Sequence, residues 1–393
     1  MRLLLLASLF LAAAAPAQRP APASTAVVLA SDTEARWVAF DLTPGNQIRF
    51  QMTLNGRPAT AILDTGVSFT VASSVFARDA GLKIGASASA QAIGGNVTVS
   101  WAAVEQIAFG GLTRRGGRVA VTELKAVATG SATPVDVLLG ADLLRTTALE
   151  IDYDARRFRL LPSGRMPFPG TSVPLGLARA SGVYTSEVTL GVRRLRPLIV
   201  DTGDGSGVTL ARDAWVAARQ PALRTTTALA YGLGGELVTD LVVVPQLRLG
   251  PLVARNVEVR VERSNSFSTA TLTAGRIGSA LLQRYRVLMD PTAGRMILAP
   301  GRLADRPPLK STSGLLVAIG SGELRVLHVM RGSPAEGTGW RAGDRICSVD
   351  GSKIPADYAT SPIGGWTADT PGRVVSVGLC DRSTRTLTLA EFY

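Results

Sequence analysis

The chain has 393 residues, with 42 Lys and Arg, 30 Asp and Glu, one histidine and two cysteines. A chain of this length holds roughly two to four domains, and its 46% apolar residues are sufficient for packed cores. A lone His328 and the two cysteines, Cys347 and Cys380, exclude a His-rich or structural zinc site. Because GxxxxGK[ST] and GxSxG motifs are also absent, we expect catalysis to depend on carboxylates, without a metal or cofactor.

The formal net charge of +12 comes largely from short arginine clusters. Each cluster lies at a turn between strand-like runs, as at Arg114-Arg115 and Arg193-Arg194. This placement favours solvated hairpin surfaces, and attraction to anionic envelope polymers or acidic substrates is the alternative. We expect no nucleic-acid partner.

The N-terminus has the pattern of a secretory signal peptide. Arg2 precedes an apolar run over residues 3–15, and Ala15-Pro16-Ala17 supplies small residues for cleavage after Ala17. An uncleaved anchor is the alternative, but the run is short for a membrane span. We therefore predict a signal peptide at 1–17, a linker or short pro-region at 18–43, and a periplasmic or secreted protein that does not span the membrane.

The many glycines and prolines predict a mainly β fold, and the chain contains an internal repeat. Ile62-Leu63-Asp64-Thr65-Gly66 corresponds to Ile199-Val200-Asp201-Thr202-Gly203. Four later landmarks follow both copies in the same order: Gly94-Gly95 and Gly234-Gly235, Gly110 and Gly250, Gly140 and Gly278, Asp152 and Asp290. The repeat predicts two β-rich lobes of similar design, at residues 44–165 and 175–302.

A single Asp-Thr-Gly is a weak signal because Asp and Gly are ordinary turn residues. Two copies at equivalent places of a repeat would bring Asp64 and Asp201 face to face across a pseudo-twofold axis. Two carboxylates in contact share a proton. The ionised member can then activate water while the protonated member polarises a carbonyl group.

With these motifs, residues 45–302 resemble a retropepsin-like aspartic peptidase whose two lobes are fused in one chain, as in pepsins. The resemblance implies a bilobal β fold, with a polypeptide substrate in the cleft and Asp64 and Asp201 as the catalytic pair. It also implies that Thr65 and Thr202 link the two loops, and that Gly66 and Gly203 give the backbone room beside the substrate. Mobile flaps are implied at the glycine turns, at Gly94, Gly95, Tyr231, Gly234 and Gly235.

The sequence departs from this family directly after each Asp-Thr-Gly. The family usually has a small or hydroxyl residue there, whereas this chain has Val67 and Asp204. A third carboxylate beside the pair would raise its pKa values. Asp204 either does this or points to solvent.

After Pro307-Pro308 the repeat ends and a different unit begins. Residues 311–393 resemble a small α+β PDZ domain of bacterial envelope proteases, through Ser333-Pro334-Ala335 and the run 342–351. PDZ domains add an extended peptide to a sheet edge. The resemblance implies capture of a peptide C-terminus by the loop Ser313, Gly314, Leu315 and Leu316, and a structural or lobe-docking role is the alternative.

Two features of this unit stay open at the level of sequence. Cys347 and Cys380 lie on predicted strands, and either a disulfide or two buried thiols is compatible with them. We interpret His328 as a packed or surface histidine.

Together these features predict an exported aspartic endopeptidase with a PDZ domain for peptide recognition. A catalytically silent pseudopeptidase that acts as a peptide-binding envelope adaptor is the alternative from another class. A single lobe that acts by homodimerisation is disfavoured by the complete second Asp-Thr-Gly.

Overall fold

The computed structural model describes residues 26–126 and 134–393, so the predicted signal peptide lies outside the described residues. Strands dominate and the helices are short, which confirms the predicted mainly β class. Within the described part of the chain, no helix is long and apolar enough to cross a membrane.

The elements follow the chain in three groups. The first group contains β1 (Val27–Leu29), β2 (Val38–Ala39), β3 (Asp41–Leu42), β4 (Ile48–Leu54), β5 (Arg57–Leu63), β6 (Val71–Ser73), α1 (Ser74–Asp79), β7 (Ile84–Ala92), β8 (Gly95–Ala103), β9 (Gln106–Phe109), β10 (Leu112–Arg115), β11 (Arg118–Thr122), β12 (Val137–Leu139), α2 (Ala141–Leu144), β13 (Ala148–Asp152) and β14 (Arg157–Leu161). The second group contains β15 (Thr171–Pro174), β16 (Gly176–Leu177), β17 (Tyr184–Leu190), β18 (Arg193–Asp201), β19 (Val208–Leu210), α3 (Arg212–Ala217), β20 (Thr226–Gly232), β21 (Gly235–Leu249), β22 (Leu252–Val261), α4 (Phe267–Ala270), β23 (Gly275–Gly278), α5 (Ser279–Leu282), β24 (Tyr285–Asp290) and β25 (Arg295–Pro300). The third group contains β26 (Leu315–Ile319), β27 (Leu324–Val329), α6 (Pro334–Gly337), β28 (Arg345–Val349), β29 (Ser352–Lys353), β30 (Val374–Leu379) and β31 (Thr384–Thr388).

Two sheets have matching topology. The 11-stranded sheet, which we call the first lobe, places β12 between β5 and β6. The eight-stranded sheet, the second lobe, places β23 between β18 and β19 in the same way. The central strand is parallel to the strand that ends at the aspartate in both lobes. These strand ends are buried on both faces, which explains their continuous apolar runs Ile62-Leu63 and Ile199-Val200.

A six-stranded sheet joins the two lobes through antiparallel pairing of β13 with β24. Leu149 pairs with Met289, and Ile151 pairs with Val287. The repeat makes Leu149 equivalent to Val287 and Ile151 equivalent to Met289, so exchanging the two strands reproduces the same pairs. This register is the one that a local twofold axis at the Glu150 and Leu288 pair requires.

The segment before the first lobe differs from the expected linker. β1 pairs with β10 in the first lobe, and β2 pairs with β14 in the six-stranded sheet. The side chain of Thr33 is buried between them and donates to the Gly110 and Leu160 carbonyls. Residues 26–42 are therefore not a free linker, because Val27-Val28-Leu29 supplies strand-forming residues to an open sheet edge, whereas a short pro-region stays a prediction.

Residues 311–393, the C-terminal unit, form a six-stranded sheet around their own apolar core. The Cys347–Cys380 disulfide joins β28 to the end of β30, with 5.0 Å between the Cα atoms. The structure thus selects the disulfide over the two thiols. The segment Asp357–Gly372 holds two short 3-10 helices, Tyr358–Thr360 and Trp366–Ala368, where a PDZ groove needs a helical wall.

Candidate active site

The two Asp-Thr-Gly loops lie against each other where β5 and β18 end. The carboxyl groups of Asp64 and Asp201, which we call the dyad, are close enough to share a hydrogen bond. Asp64 Oδ1 accepts the Gly66 N–H at 3.0 Å. Asp201 Oδ1 accepts the N–H groups of Gly203 at 2.9 Å and Asp204 at 3.0 Å. The structure therefore brings together the two aspartates that the repeat singled out.

Two buried threonines connect the loops reciprocally. Thr65 Oγ1 donates to the Val200 carbonyl at 2.6 Å and accepts the Thr202 N–H at 3.1 Å. Thr202 Oγ1 donates to the Leu63 carbonyl at 2.7 Å and accepts the Thr65 N–H at 3.0 Å. Each hydroxyl thus satisfies a buried carbonyl and a buried amide of the opposite lobe, which fixes the relative position of the aspartates.

The motif glycines give room to the carboxyl group of the opposite loop. A Cβ atom at Gly66 would lie 2.3 Å from Asp201 Cγ, and one at Gly203 would lie 2.4 Å from Asp64 Cγ. Any side chain at these positions would therefore clash with the opposite aspartate. Room for a substrate beside these glycines stays a prediction.

Burial governs the protonation of the dyad. Asp201 is 5% exposed, and Asp64 is half-buried. Burial raises the pKa of Asp64 to about 6 despite the Gly66 N–H, which lowers it. Burial, followed by the charges of Asp64 and Asp204, raises the pKa of Asp201 well above its ordinary value. The pair therefore holds one shared proton at mildly acidic pH, so that one carboxyl group can act as an acid and the other as a base.

Asp204 faces a buried arginine, and it does not point to solvent. Its Oδ2 accepts from Arg276 Nε at 3.0 Å, and its Oδ1 accepts the Ser206 N–H at 2.9 Å. Burial raises the pKa of Asp204, but Arg276 and the Ser206 N–H outweigh it and keep the pKa below its ordinary value. Arg276 is a residue that the sequence analysis missed, although an arginine within an apolar strand was a visible signal.

Two glycine-tipped hairpins meet at their ends. The first hairpin, β7 and β8, ends at Gly94, and the second hairpin, β20 and β21, ends at Gly234. The Gly234 N–H donates to the Ile93 carbonyl at 2.9 Å. Leu233 at the second tip packs against the apolar cluster that includes Ile62 and Leu138, and Val67, directly after the first Asp-Thr-Gly, packs against the same cluster. The hairpins thus contact each other at their tips, and the second tip shares an apolar cluster with the residue that follows the first Asp-Thr-Gly.

Tyr231 and Gly235 lie in the second hairpin, and Gly95 lies in the first. Burial and Glu236 raise the pKa of the Tyr231 phenol, and Arg325 of the C-terminal unit lowers it. The phenol therefore lies near the C-terminal unit. The described contacts include none between Tyr231 and the dyad.

Backbone N–H groups of the predicted carboxylate-binding loop donate hydrogen bonds within the C-terminal unit. The N–H of Ser313 donates to the Thr367 carbonyl at 3.1 Å, and the N–H of Gly314 donates to Ser311 Oγ at 2.9 Å. The N–H of Leu315 donates to Ser313 Oγ at 3.1 Å, while Leu316 lies on β26, half-exposed to solvent. Because three amides of this loop already have partners, its geometry disfavours capture of a terminal carboxylate.

Comparison with known families supports the first lobe as a protease-like domain. A family model described as Aspartyl protease matches residues 50–143. The matched range includes the first Asp-Thr-Gly, the first hairpin and Gly140, and it ends before the second copy. No curated protein matches the chain significantly. The chain therefore contains an aspartyl protease-like domain, which makes a peptidase hydrolase with a polypeptide substrate the class of activity to expect.

Proposed function

We propose that this protein is an exported aspartic endopeptidase whose dyad is Asp64 and Asp201. The observation that carries the proposal is the reciprocal threonine linkage, which holds two partly protonated carboxyl groups in contact at the junction of the lobes. Such an arrangement supplies an acid and a base without any nucleophilic side chain.

The proposed reaction uses one proton on the dyad. Asp64, the less buried member, removes a proton from a bound water as the water oxygen attacks the scissile carbonyl carbon. Asp201 gives its proton to the carbonyl oxygen, and a tetrahedral diol forms. Collapse of the diol breaks the C–N bond, the nitrogen takes up the proton from Asp64, and Asp201 recovers its own from the diol. The dyad therefore ends in its starting protonation state.

The substrate in this proposal is an extended polypeptide below the two hairpins. Their contact at Gly234 and Ile93 has to open for a chain to enter, and it closes again to exclude water from the dyad. Glycine tips allow two backbones to approach without side chains between them.

The C-terminal unit is proposed to be a PDZ domain that recognises peptides. β26 is an edge strand of its sheet, since β27 is its only partner among the described strands. Added-strand binding requires such an edge. Since three loop amides are internally bonded, an internal segment is a better ligand for this edge than a chain terminus. Export is proposed from the predicted signal peptide, with which the disulfide is compatible.

The function is tested by incubating the mature protein with an unfolded protein at pH 3–7, beside Asp64→Asn, Asp201→Asn and the exposed control Asp213→Asn. An endopeptidase cleaves in the wild type and the control, loses cleavage in both dyad variants, and is blocked by a statine-type inhibitor. Equal cleavage by all four proteins would refute the dyad. Peptide binding without cleavage in the wild type would support the adaptor instead.

A further inference from the structure

The second catalytic loop is backed by a buried ion pair. Asp204 follows Asp201 by three positions, and its side chain is 12% exposed where it meets Arg276, which is 4% exposed. On its other side the Arg276 guanidinium reaches Glu262 at 2.8 Å and Ser268 Oγ at 3.2 Å. Asp204, Arg276 and Glu262 thus form one chain of charges that begins beside the dyad.

The first lobe has apolar residues at both equivalent places. Val67 follows Asp64 by three positions, and Leu138 precedes Gly140 by two, as Arg276 precedes Gly278. Leu138 belongs to an apolar cluster of the first lobe, and Val67 packs against that cluster. The Ala141 N–H donates to the Val67 carbonyl, and the Ser279 N–H donates to the Asp204 carbonyl, so the loops have the same local fold. This fold therefore does not need a charge at these places.

Besides burial, the charge of Asp204 raises the pKa of both aspartates, but the Asp204 backbone is hydrogen-bonded to Asp201. The Asp204 N–H donates to Asp201 Oδ1 at 3.0 Å, which fixes the Asp204 backbone beside that carboxyl group. The charged groups around Asp201 are Asp64, Asp204 and Arg276, and Arg260 acts on Asp204 from β22. A negative charge favours the protonated form of a neighbouring carboxyl group. Arg276 keeps Asp204 ionised and partly offsets its effect on Asp201.

We propose that Asp204, which Arg276 keeps ionised, is a positioning residue that assigns the shared proton of the dyad to Asp201 and leaves Asp64 to activate water. This inference rests on the proposed function and goes beyond it, because it names the residue that divides the two chemical roles between the aspartates. It also gives a reason for a charge where the first lobe has none.

Two variants separate this role from a structural one. Asp204→Asn removes the negative charge and leaves Arg276 beside Asp201, so the basic limb of the pH–rate profile should move down by about one pH unit, the effect of one neighbouring charge. Asp204→Val with Arg276→Leu copies the pair of the first lobe and removes both charges, so the downward shift should become smaller but should not disappear, because Arg276 only partly offsets Asp204. Asp204→Asn with Arg276→Gln is the more conservative form of the double variant. Glu150→Gln is the control, because Glu150 is a fully buried carboxylate that pairs with Arg159 and Arg286 in the six-stranded sheet.

The same variants are titrated without turnover by carbon-13 NMR of the Asp carboxyl groups, with signals assigned from Asp64→Asn and Asp201→Asn. A downward shift for Asp201 in Asp204→Asn that is smaller but still present in the double variant, and absent in Glu150→Gln, supports the proposal even if the protein cleaves no peptide. Unchanged titration in Asp204→Asn overturns it, even if the protein is an active peptidase. A double variant that titrates like the wild type also overturns it, because the ion pair would then have no net effect on the dyad.

Discussion

At the scale of single residues, each lobe completes the other. The Thr65 and Thr202 hydroxyls bind opposite backbones, and the Gly66 and Gly203 positions admit opposite carboxylates. The geometry of the dyad is thus determined by contacts between lobes, so neither loop is complete alone. The cost is the burial of two acidic groups with little solvent to stabilise their charges.

This cost predicts a gain in stability when one carboxyl group is neutralised. The pKa of Asp64 is raised to about 6, so the folded state binds more protons than the unfolded state, and stability falls as pH rises through the range from 3.8 to about 6. Asp64→Asn removes this loss and should raise the free energy of unfolding at pH 7 by on the order of 1 to 3 kcal/mol. Urea unfolding at pH 7 and pH 3 measures it, and the gain should vanish at pH 3. An equal gain at both pH values would contradict the assigned direction of the shift.

At the scale of elements, the two hairpins meet through backbone rather than side chains. A Cβ atom at Gly234 would lie 2.3 Å from the Gly95 nitrogen and 2.4 Å from its oxygen. Because backbone atoms cannot move aside as a flexible side chain can, any residue other than glycine must separate the tips. Contact between the hairpins therefore requires glycine at this position, as it does at Gly94 and Gly232, where a Cβ atom would lie 2.4 Å and 2.1 Å from backbone oxygens of the opposite tip.

Gly234→Ala should accordingly weaken substrate closure without unfolding the protein. We expect KM for an unfolded protein substrate to rise several-fold while the thermal midpoint stays near that of the wild type. Gly365→Ala is the matched control, since a Cβ atom there meets nothing within 4 Å. If KM is unchanged in Gly234→Ala, the contact between the tips has no part in substrate binding.

At the scale of the whole molecule, the C-terminal unit is docked on the second hairpin. Thr226 Oγ1 donates to the Arg331 carbonyl at 2.7 Å, and the Arg331 guanidinium reaches Asp240 at 3.0 Å. Thr227 Oγ1 lies 2.8 Å from His328 Nε2. Met330 and the last residues, Phe392 and Tyr393, add an apolar contact with Ala228 and Leu241 on the same hairpin. His328 is thus a packing residue at this junction, and the unit contacts the hairpin that the proposed function requires to move.

Arg331→Ala should release the base of the second hairpin. We expect amide hydrogen exchange in β20 and β21 to increase, while exchange in β28 and β30, which the disulfide joins, stays as in the wild type. Arg345→Ala is the control, because Arg345 pairs with Glu323 within the C-terminal unit. Unchanged exchange in β20 would show that this docking does not restrain the hairpin.

The parts of the fold and of the candidate site that were best predicted from the sequence are those that occur twice in it. Asp64 and Asp201 were identifiable because two weak motifs at matching offsets constrain each other, and the mainly β class followed from turn residues. The pairing of Val27-Val28-Leu29 with a distant sheet edge could not be identified from the sequence, since a three-residue strand has no periodicity to detect. Arg276 was missed because one charged residue in an apolar strand shows nothing of its partners. The internal bonding of the Ser313 loop depends on Thr367, more than fifty positions away in sequence.

Fusion of the two lobes in one chain allows the two sides of the dyad to differ. In a homodimer of identical halves, every substitution appears on both sides of the axis, so a charge such as that of Asp204 would face both aspartates equally. Here Val67 and Asp204 occupy equivalent places with opposite character, which symmetry would forbid. A fused chain can therefore acquire a functional difference between two like carboxyl groups through substitutions in only one of its halves.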